Sequence, residues 1–565
     1  MRRKFVRVSH AVWLCGLSTA TLVSAQSSGG ALAGNPLDTL PQLAQPLNDT
    51  WKGTGNTNAT LTLSRNLQSP QPLMQEVQAN SIEISGVNAL PFATIAAFFE
   101  PLTGQRTTIA ALAQAVIKAT EAYQKAGYPL SFVYLPEQSF EGGIVRVIAV
   151  EGHIQNVTLQ GDSGKSQSLI EDMVQPLMAE KPLTNDTFQR QTMLLARLDN
   201  LKVVATAAMP TTTDGGTPLQ LLVDRKPILF NVGADLRQGD PKAVATLTLN
   251  DPLWGGSQWQ LTSLIDDWNE ERFVSATLNQ TLHAQGTRLS LNASEFKGQD
   301  NFAGDLLQDI TTQRKVSLGV THPLHLSQTG STTIGATVFG LDYQKTYEFP
   351  AFNVALTDRE KVRAVQAHWN WQKVGLQTQQ SASASWTQGL NAWGAELERS
   401  PLLGTNEAKL AFSRLSLDYM VRWRAKNLWG LAFGAGGQTS PHTLPTSERV
   451  SFGGTRFGRG YRSGEAAGDQ GLGASLEANR LFVRQAGKWL KTIEPYVLYE
   501  HAQTWFHQAN WQGQKLQSTS LGLRLSDSKH YALDLAASKP HGYKSPVNPQ
   551  QKLRYSLSFS YNFDI

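Results

Sequence analysis

Arg554-Tyr-Ser-Leu-Ser-Phe-Ser-Tyr-Asn-Phe-Asp-Ile565 alternates polar and apolar side chains without a break. One face carries Tyr555, Leu557, Phe559, Tyr561, Phe563 and Ile565. The other carries Arg554, Ser556, Ser558, Ser560, Asn562 and Asp564. A period of two belongs to a β-strand, because successive side chains point to opposite faces of the pleat. The pattern recurs upstream, at Leu415, Leu417, Tyr419, Val421 and Trp423, and again at Leu521, Leu523 and Leu525. From Pro227 onward helical periodicity disappears, and short alternating runs are separated by Gly, Asn, Asp and Ser turns.

Two environments produce such a pattern. A soluble sandwich buries the apolar face in a core, whereas a membrane barrel turns it to lipid and its polar face to a wet lumen. The region is too long for one sandwich, its aromatics gather at strand ends as in interfacial girdles, and its last strand is aromatic-rich like a barrel assembly signal. With about 10 residues per strand plus turns and longer outer loops, residues 227–565 accommodate about 16 antiparallel strands. Closure is required, since an open sheet edge in lipid leaves backbone groups unpaired. The expected fold of this region is a transmembrane β-barrel.

Residues 76–226 read differently. Ile82 and Ile84 alternate with polar neighbours, as in a strand. Thr108 is placed to cap a helix running to Ala126, with Ile109, Leu112, Ala113, Val116 and Tyr123 on one face and Gly127 after its end. Ser131 to Leu135 and Ile144 to Val150 read as strands joined by a turn at Glu141-Gly-Gly143. The order β-α-β-β then repeats. Ile154 to Leu159 is a strand, Ser168 to Leu177 and Thr184 to Leu201 are helical, and Val203 to Met209 and Leu219 to Val223 are strands. In the second helix Phe188, Leu195 and Leu198 share a face. Two small α/β units, residues 76–152 and 153–226, account for this span.

Residues 26–75 are rich in Gly, Ser, Asn, Thr and Pro, and read as a linker or a plug segment. Leu37, Leu40, Leu43 and Leu47 are spaced loosely like a helix face, but Pro36, Pro41 and Pro46 oppose a long helix. Residues 1–25 read as a secretory signal peptide. Arg2, Arg3, Lys4 and Arg7 precede a short apolar run from Ala11 to Val23, and Val23-Ser-Ala25 supplies small residues before a cut ahead of Gln26. Its removal takes away four basic side chains and no acid, so the net charge falls from +5 to +1. The basic balance therefore gives no support for nucleic-acid binding. Cys15 is the single cysteine and lies inside that segment, which excludes disulfides from the mature chain. The eleven histidines show no zinc spacing, and no nucleotide-binding motif occurs. Gly161-Asp-Ser-Gly164 superficially matches a protease nucleophile segment, but it sits between a strand and a helix and reads as a turn. Neither enzymatic activity nor a cofactor is expected.

Three segments carry a family resemblance. They are Gly143-Ile-Val-Arg-Val-Ile-Ala-Val-Glu-Gly-His-Ile154, Gly453-Gly-Thr-Arg-Phe-Gly-Arg-Gly-Tyr-Arg-Ser-Gly-Glu465 and Glu494-Pro-Tyr-Val-Leu-Tyr-Glu-His-Ala-Gln-Thr-Trp505. Together with the order of regions, they make the chain resemble the two-partner secretion transporters, the haemolysin secretion/activation family of the outer-membrane insertase superfamily. The first segment is similar to the family's junction between two polypeptide-transport-associated (POTRA) units. In the second, Arg459, Gly460 and Tyr461 match the family's Val-Arg-Gly-Tyr, and Gly458 replaces the valine. The resemblance implies that this motif is the tip of a long loop folded into the lumen, with Arg459 meeting a carboxylate on the inner wall. The third segment looks like that wall strand. Where the family has Asp and, two residues on, Gly, this chain has Glu500 and Ala502, which makes Glu500 the expected charge partner. If Glu500 faces the lumen, strand parity places Leu498 and Tyr496 there too. Leu249-Asn-Asp-Pro-Leu-Trp-Gly-Gly256 resembles a family turn between early barrel strands.

What the resemblance implies is a transporter in the bacterial outer membrane with its POTRA units in the periplasm. Its implied partners are a secreted exoprotein of haemolysin or adhesin type, outer-membrane lipid and, during biogenesis, the barrel-assembly machinery. Ser131, Phe132, Val133, Tyr134 and Leu135, beside the helix Ile109 to Ala126, form the expected cargo-docking edge. Two alternatives remain at this point: an insertase of the same superfamily, and a passive porin or adhesin barrel.

Overall fold

The computed structural model of the chain describes residues 74–198, 201–237, 240–265, 271–302, 307–484, 489–508, 513–545 and 548–564, with the pairs Leu14–Cys15 and Gly53–Thr54. The expected signal peptide and the linker or plug segment lie outside the described residues, apart from those pairs and Met74–Gln75. The chain forms two compact units, one centred on residues 74–225 and one on the residues from Lys226 onward.

In the first unit, β1 (Glu76–Ala79), β2 (Ser81–Ser85), α1 (Phe92–Ala96), β3 (Gln105–Thr108), α2 (Ile109–Lys125), β4 (Phe132–Tyr134) and β5 (Ile144–Val150) follow in order. The central sheet runs β2-β5-β4, parallel between β2 and β5 and antiparallel between β5 and β4. The predicted cap on α2 is present: the Thr108 side chain accepts the Ala111 amide at 3.2 Å. Ile109, Leu112, Val116 and Tyr123 are buried against Val133, Val145 and Val147, while Ala113 is only half-buried. The pair β1–β3 and the short helix α1 escaped the sequence reading, so the fold here is richer than β-α-β-β.

The next five elements are β6 (His153–Gly161), α3 (Gln167–Ala179), α4 (Asn185–Ala196), β7 (Leu201–Ala207) and β8 (Gly216–Arg225). Their sheet runs β6-β8-β7. Phe188 and Leu195 are buried on α4 as their spacing predicts; the helix ends at Ala196 and not at Leu201, so Leu198 is buried just past its end. Gly161 to Gly164 is a turn, with Asp162 accepting the Gly164 amide at 2.9 Å and pairing with Arg225 at 3.0 Å.

The Glu-Gly junction explains itself in chemical terms. Glu151 Oε1 accepts the amides of Asn88 at 2.8 Å and Ala89 at 2.6 Å, and the Tyr123 hydroxyl at 2.9 Å. Burial, reinforced by the Glu151 carboxylate, pushes the Tyr123 pKa well up, so the phenol stays protonated. A Cβ on Gly152 would collide with the Leu130 carbonyl, which accounts for glycine there. The Leu183 amide donates to the Gly152 carbonyl at 2.9 Å and the Asn185 amide to Gly127 at 2.7 Å, tying the first sub-unit to the second.

In the second unit, sixteen antiparallel strands among the described residues close into a barrel. Thr378–Gly389 with Glu396–Arg399, and Gln470–Arg480 with Phe482–Val483, are each one interrupted strand. The first strand, Ile228–Arg237, pairs with the last, Arg554–Asp564, at a register of Val232 opposite Tyr561. The chain therefore enters and leaves the wall on one rim, the near rim. Asp251 and Gly256, both at positive φ, shape the near-rim turn that the sequence marked. Alternation reads as predicted. On Thr492–Trp505, Glu494, Tyr496, Leu498, Glu500, Ala502 and Thr504 are buried, and Val497 and Tyr499 are exposed on the outer surface.

Candidate functional site

The wall strands Trp429–Thr439 and Gln470–Arg480 are neighbours, and the chain between them, residues 440–469, forms a long far-rim loop. Within it Val450–Phe452 pairs with Ala466–Gly468 as a short hairpin. Its contacts place it inside the barrel. Val450, Phe452, Tyr461 and Ala466 form one buried cluster with Ala502 and Leu516 of the wall. Its base is tied by charge: Arg414 to Glu448 at 3.1 Å, Arg449 to Asp469 at 3.7 Å, and the Thr446 amide to Glu360 at 2.7 Å.

The tip is shaped by close approaches. Phe457 sits at positive φ and packs edge-on to Phe452, with ring centroids 5.8 Å apart. Its ring lies against Gly436 and Gly473, which face each other in register on adjacent strands, so two missing side chains make the slot that receives it. A Cβ on Gly458 would come within 3.1 Å of the Gly453 Cα and 3.2 Å of Leu516. Leu516 thus occupies the space a valine at 458 would need, and Phe457 supplies the apolar contact. Gly460 runs so close to the wall that a Cβ would lie 2.8 Å from the Pro540 nitrogen. Tyr461 is buried, and its hydroxyl accepts the Gly542 amide at 3.0 Å.

Arg459 divides its contacts. Its main-chain amide donates to Glu500 Oε2 at 2.8 Å, and Glu500 also accepts the Ser518 hydroxyl at 3.0 Å. The guanidinium goes elsewhere. Nη1 donates to the Tyr496 hydroxyl at 2.5 Å and pairs with Asp534 at 3.4 Å. Glu500, the expected charge partner, takes the loop's main-chain amide here, and the carboxylate in direct contact with the guanidinium is Asp534. The glutamate side chain carries its carboxylate up to the loop's main chain, and the arginine extends past it to the strand Tyr531–Pro540.

Asp534 belongs to a network on the inner wall. It accepts the Tyr496 hydroxyl at 2.7 Å and lies 3.6 Å from Arg524. Arg524 pairs with Glu477 at 2.6 Å and Glu494 at 3.3 Å, and stacks 4.0 Å above the Tyr496 ring. Arg424 pairs with Glu494 at 2.7 Å. Charges facing a partly dehydrated lumen need such shared partners, and an arginine fork serves two carboxylates at once. Sequence reasoning missed Asp534, Glu477, Arg524 and Arg424. The signal was present, because Leu533-Asp-Leu535 and Leu523-Arg-Leu525 each set one charge between two lipid-facing leucines.

A family model for the haemolysin secretion/activation protein ShlB/FhaC/HecB matches residues 237–525, and one for the ShlB-type POTRA domain matches residues 77–152. The chain belongs to the haemolysin secretion/activation family. It is similar to the heme/hemopexin transporter protein HuxB of Haemophilus influenzae, 22% identical with 92% of each chain covered. It is 23% identical to the outer membrane transporter CdiB of Escherichia coli O6:K15:H31, covering 74% of this chain and 69% of that one. Among solved structures, CdiB from Escherichia coli superposes with a TM-score of 0.66 at 18% identity, covering 89% of this chain and 93% of that chain. BamA from Haemophilus ducreyi lacking POTRA domains 1–3 superposes at 0.51 and 13% identity, covering 86% of this chain and all of that chain. These likenesses show the fold. Family membership makes the chain an outer-membrane transporter of the two-partner secretion type, with its POTRA units in the periplasm.

In the first POTRA unit the expected docking edge is partly occupied. β4 is an edge strand, but the Val133 amide donates to the buried Thr120 hydroxyl at 3.0 Å, and that hydroxyl in turn donates to the Val116 carbonyl at 2.9 Å. Ser131 is buried and accepts the Gly152 amide at 3.1 Å, and Leu135 packs on the core. Phe132 and Tyr134 remain half-buried, their rings 6.0 Å apart on one face. The other edge, β2, has no described strand on its outer side.

Proposed function

We propose that this transporter exports a single partner exoprotein, received unfolded in the periplasm, through the barrel lumen to the cell exterior. The observation that carries this reading is the loop of residues 440–469. It lies in the lumen without joining the barrel sheet, held by a buried apolar cluster, ion pairs and single hydrogen bonds, so the conduit is obstructed at rest by a part that can leave it. Binding starts on the POTRA units. The occupied main-chain amide at Val133 favours β2, Ser81–Ser85, over β4 as the strand-adding edge, and leaves Phe132 and Tyr134 as an aromatic contact. The sequence carries no nucleotide-binding motif, and folding of the cargo outside supplies the direction of movement. Outer-membrane lipid surrounds the barrel, and the barrel-assembly machinery inserts it.

Deletion of the gene tests the proposal when culture medium and outer membrane are both profiled. Loss of one large exoprotein from the medium, with other barrel proteins at normal levels, is expected. A general fall in outer-membrane barrels would instead mark an insertase, and an unchanged medium would mark a passive barrel.

A further inference from the structure

The outer wall carries a charge cluster that neither the lumen nor the loop uses. On Glu271–Thr281, Phe273 and Ser275 are buried inward, so Arg272, Val274 and Ala276 face outward. On Arg288–Phe302, Phe296 is inward, so Leu291, Ala293, Glu295 and Lys297 face outward. On Leu307–Ser327, Gln313 is inward, so Arg314, Val316, Leu318 and Val320 face outward. The register aligns them: Val274 lies opposite Glu295 and Glu295 opposite Arg314, while Arg272 lies opposite Lys297.

Read along each strand from the near rim, the outward face is apolar and then becomes charged at one level. Val274 gives way to Arg272, Ala293 to Glu295 and Lys297, and Val316 to Arg314. The level lies on the far-rim side of the apolar band. The near rim carries the connection to the periplasmic POTRA units, so the far side meets the outer leaflet. Glu295 accepts from both Arg272 and Arg314, the latter at 2.7 Å, and holds the two guanidinium groups side by side. Lys297 has no carboxylate partner among the described residues. Among the described outward residues of these three strands at this level, three cations stand against one carboxylate. Arg314 keeps 69% of its side-chain surface exposed and Arg272 keeps 39%.

We propose that Arg272, Lys297 and Arg314 form a binding site for the phosphorylated glucosamine headgroup of outer-leaflet lipopolysaccharide. The acyl chains lie on Val274, Leu291, Val316 and Leu318, and the headgroup phosphates meet the cations directly above them. Guanidinium groups preset by a shared carboxylate match phosphate oxygens in pairs. Glu295 is a positioning residue here, since it orients the arginines without touching an anion.

The test counts lipid bound to the purified full-length chain by native mass spectrometry. Three probes are compared on the unaltered protein: lipopolysaccharide with both lipid A phosphates, the same lipid after phosphatase treatment, and phosphatidylglycerol. The phosphorylated glycolipid should be retained and the other two lost on detergent exchange. The triple variant Arg272→Gln, Lys297→Gln, Arg314→Gln should bind it roughly 100-fold more weakly, at about five-fold for each of the three cations removed. Heat-modifiable migration on gels reports whether the variant barrel is folded. Equal retention of the dephosphorylated lipid by the unaltered protein would overturn the proposal, whether or not the variant folds. So would equal retention of phosphatidylglycerol, or unchanged binding by a folded variant.

Discussion

Replacing Arg459 by alanine removes the tip's charge contacts and leaves its other anchors in place. The guanidinium donates to Tyr496 at 2.5 Å and pairs with Asp534 at 3.4 Å, and both side chains of that pair are largely buried, at 19% and 16% exposure. Losing hydrogen bonds to a charged group in such a setting costs about 2–3 kcal/mol. The loop is also held by the burial of Val450, Phe452 and Tyr461, each worth about 2 kcal/mol or more. The variant loop therefore stays docked most of the time, but its excursions become more frequent by a factor of about 30–150. Single-channel recording of the purified barrel in a planar bilayer reads this as a higher frequency of brief openings on an unchanged closed baseline. Asp534→Asn should produce the same phenotype, and the double variant should add little to either, because the two side chains share one interaction. Glu500→Gln should be mild, since an amide oxygen still accepts the Arg459 main-chain amide. Openings at the original frequency in Arg459→Ala would refute the pinning argument. A severe Glu500→Gln beside a silent Asp534→Asn would return the charge to Glu500.

Gly460→Ala places a Cβ against the Pro540 backbone, so the tip cannot seat. Exoprotein release should fall several-fold while the barrel still shows heat-modifiable migration, and normal release would show that the close approach is dispensable. Glu151→Ala strands the amides of Asn88 and Ala89 and the Tyr123 hydroxyl, a loss of about 3 kcal/mol. Limited proteolysis should then cut within residues 74–225 sooner than in the parent, with the barrel untouched. Tyr123 adds a pH dependence of known sign. Its folded pKa lies above the ordinary 10.0, so above pH 10 the unfolded chain binds fewer protons than the folded one and stability falls as pH rises. Tyr123→Phe should flatten that alkaline fall in chemical-denaturation midpoints of the POTRA units, and an identical profile would argue against a buried phenol.

The barrel was legible because period-two alternation survives in single strands such as Arg554–Asp564, where the lipid side and the lumen side demand opposite side chains. The cap of α2 was legible for the same local reason: Thr108 precedes an apolar stripe and accepts an amide three residues on, whereas Thr184, read as the first residue of its helix, turns out to be the cap of α4. The loop tip was legible only through its motif. Its partners were not, because neighbouring inward positions on a closed sheet depend on strand register, which local sequence does not state. Asp534 reaches Arg459 from a strand beyond the one the motif suggested, and Gly436 meets Gly473 only through the pairing of two separate strands. The Thr120 contact to Val133 was hidden likewise, since a threonine in a helix gives no sign that it will satisfy a neighbouring strand's edge.

Cargo passage through the lumen is most directly tested by a photo-crosslinking residue at Asp418, which faces the lumen and pairs with Arg456 of the docked loop at 3.4 Å. Illumination of cells in the act of secretion should join this position to the exoprotein, whereas cells without the exoprotein should give only the crosslink to the chain's own loop. Exoprotein accumulating outside at the usual rate, with the loop crosslink alone at Asp418, would contradict transport through the barrel.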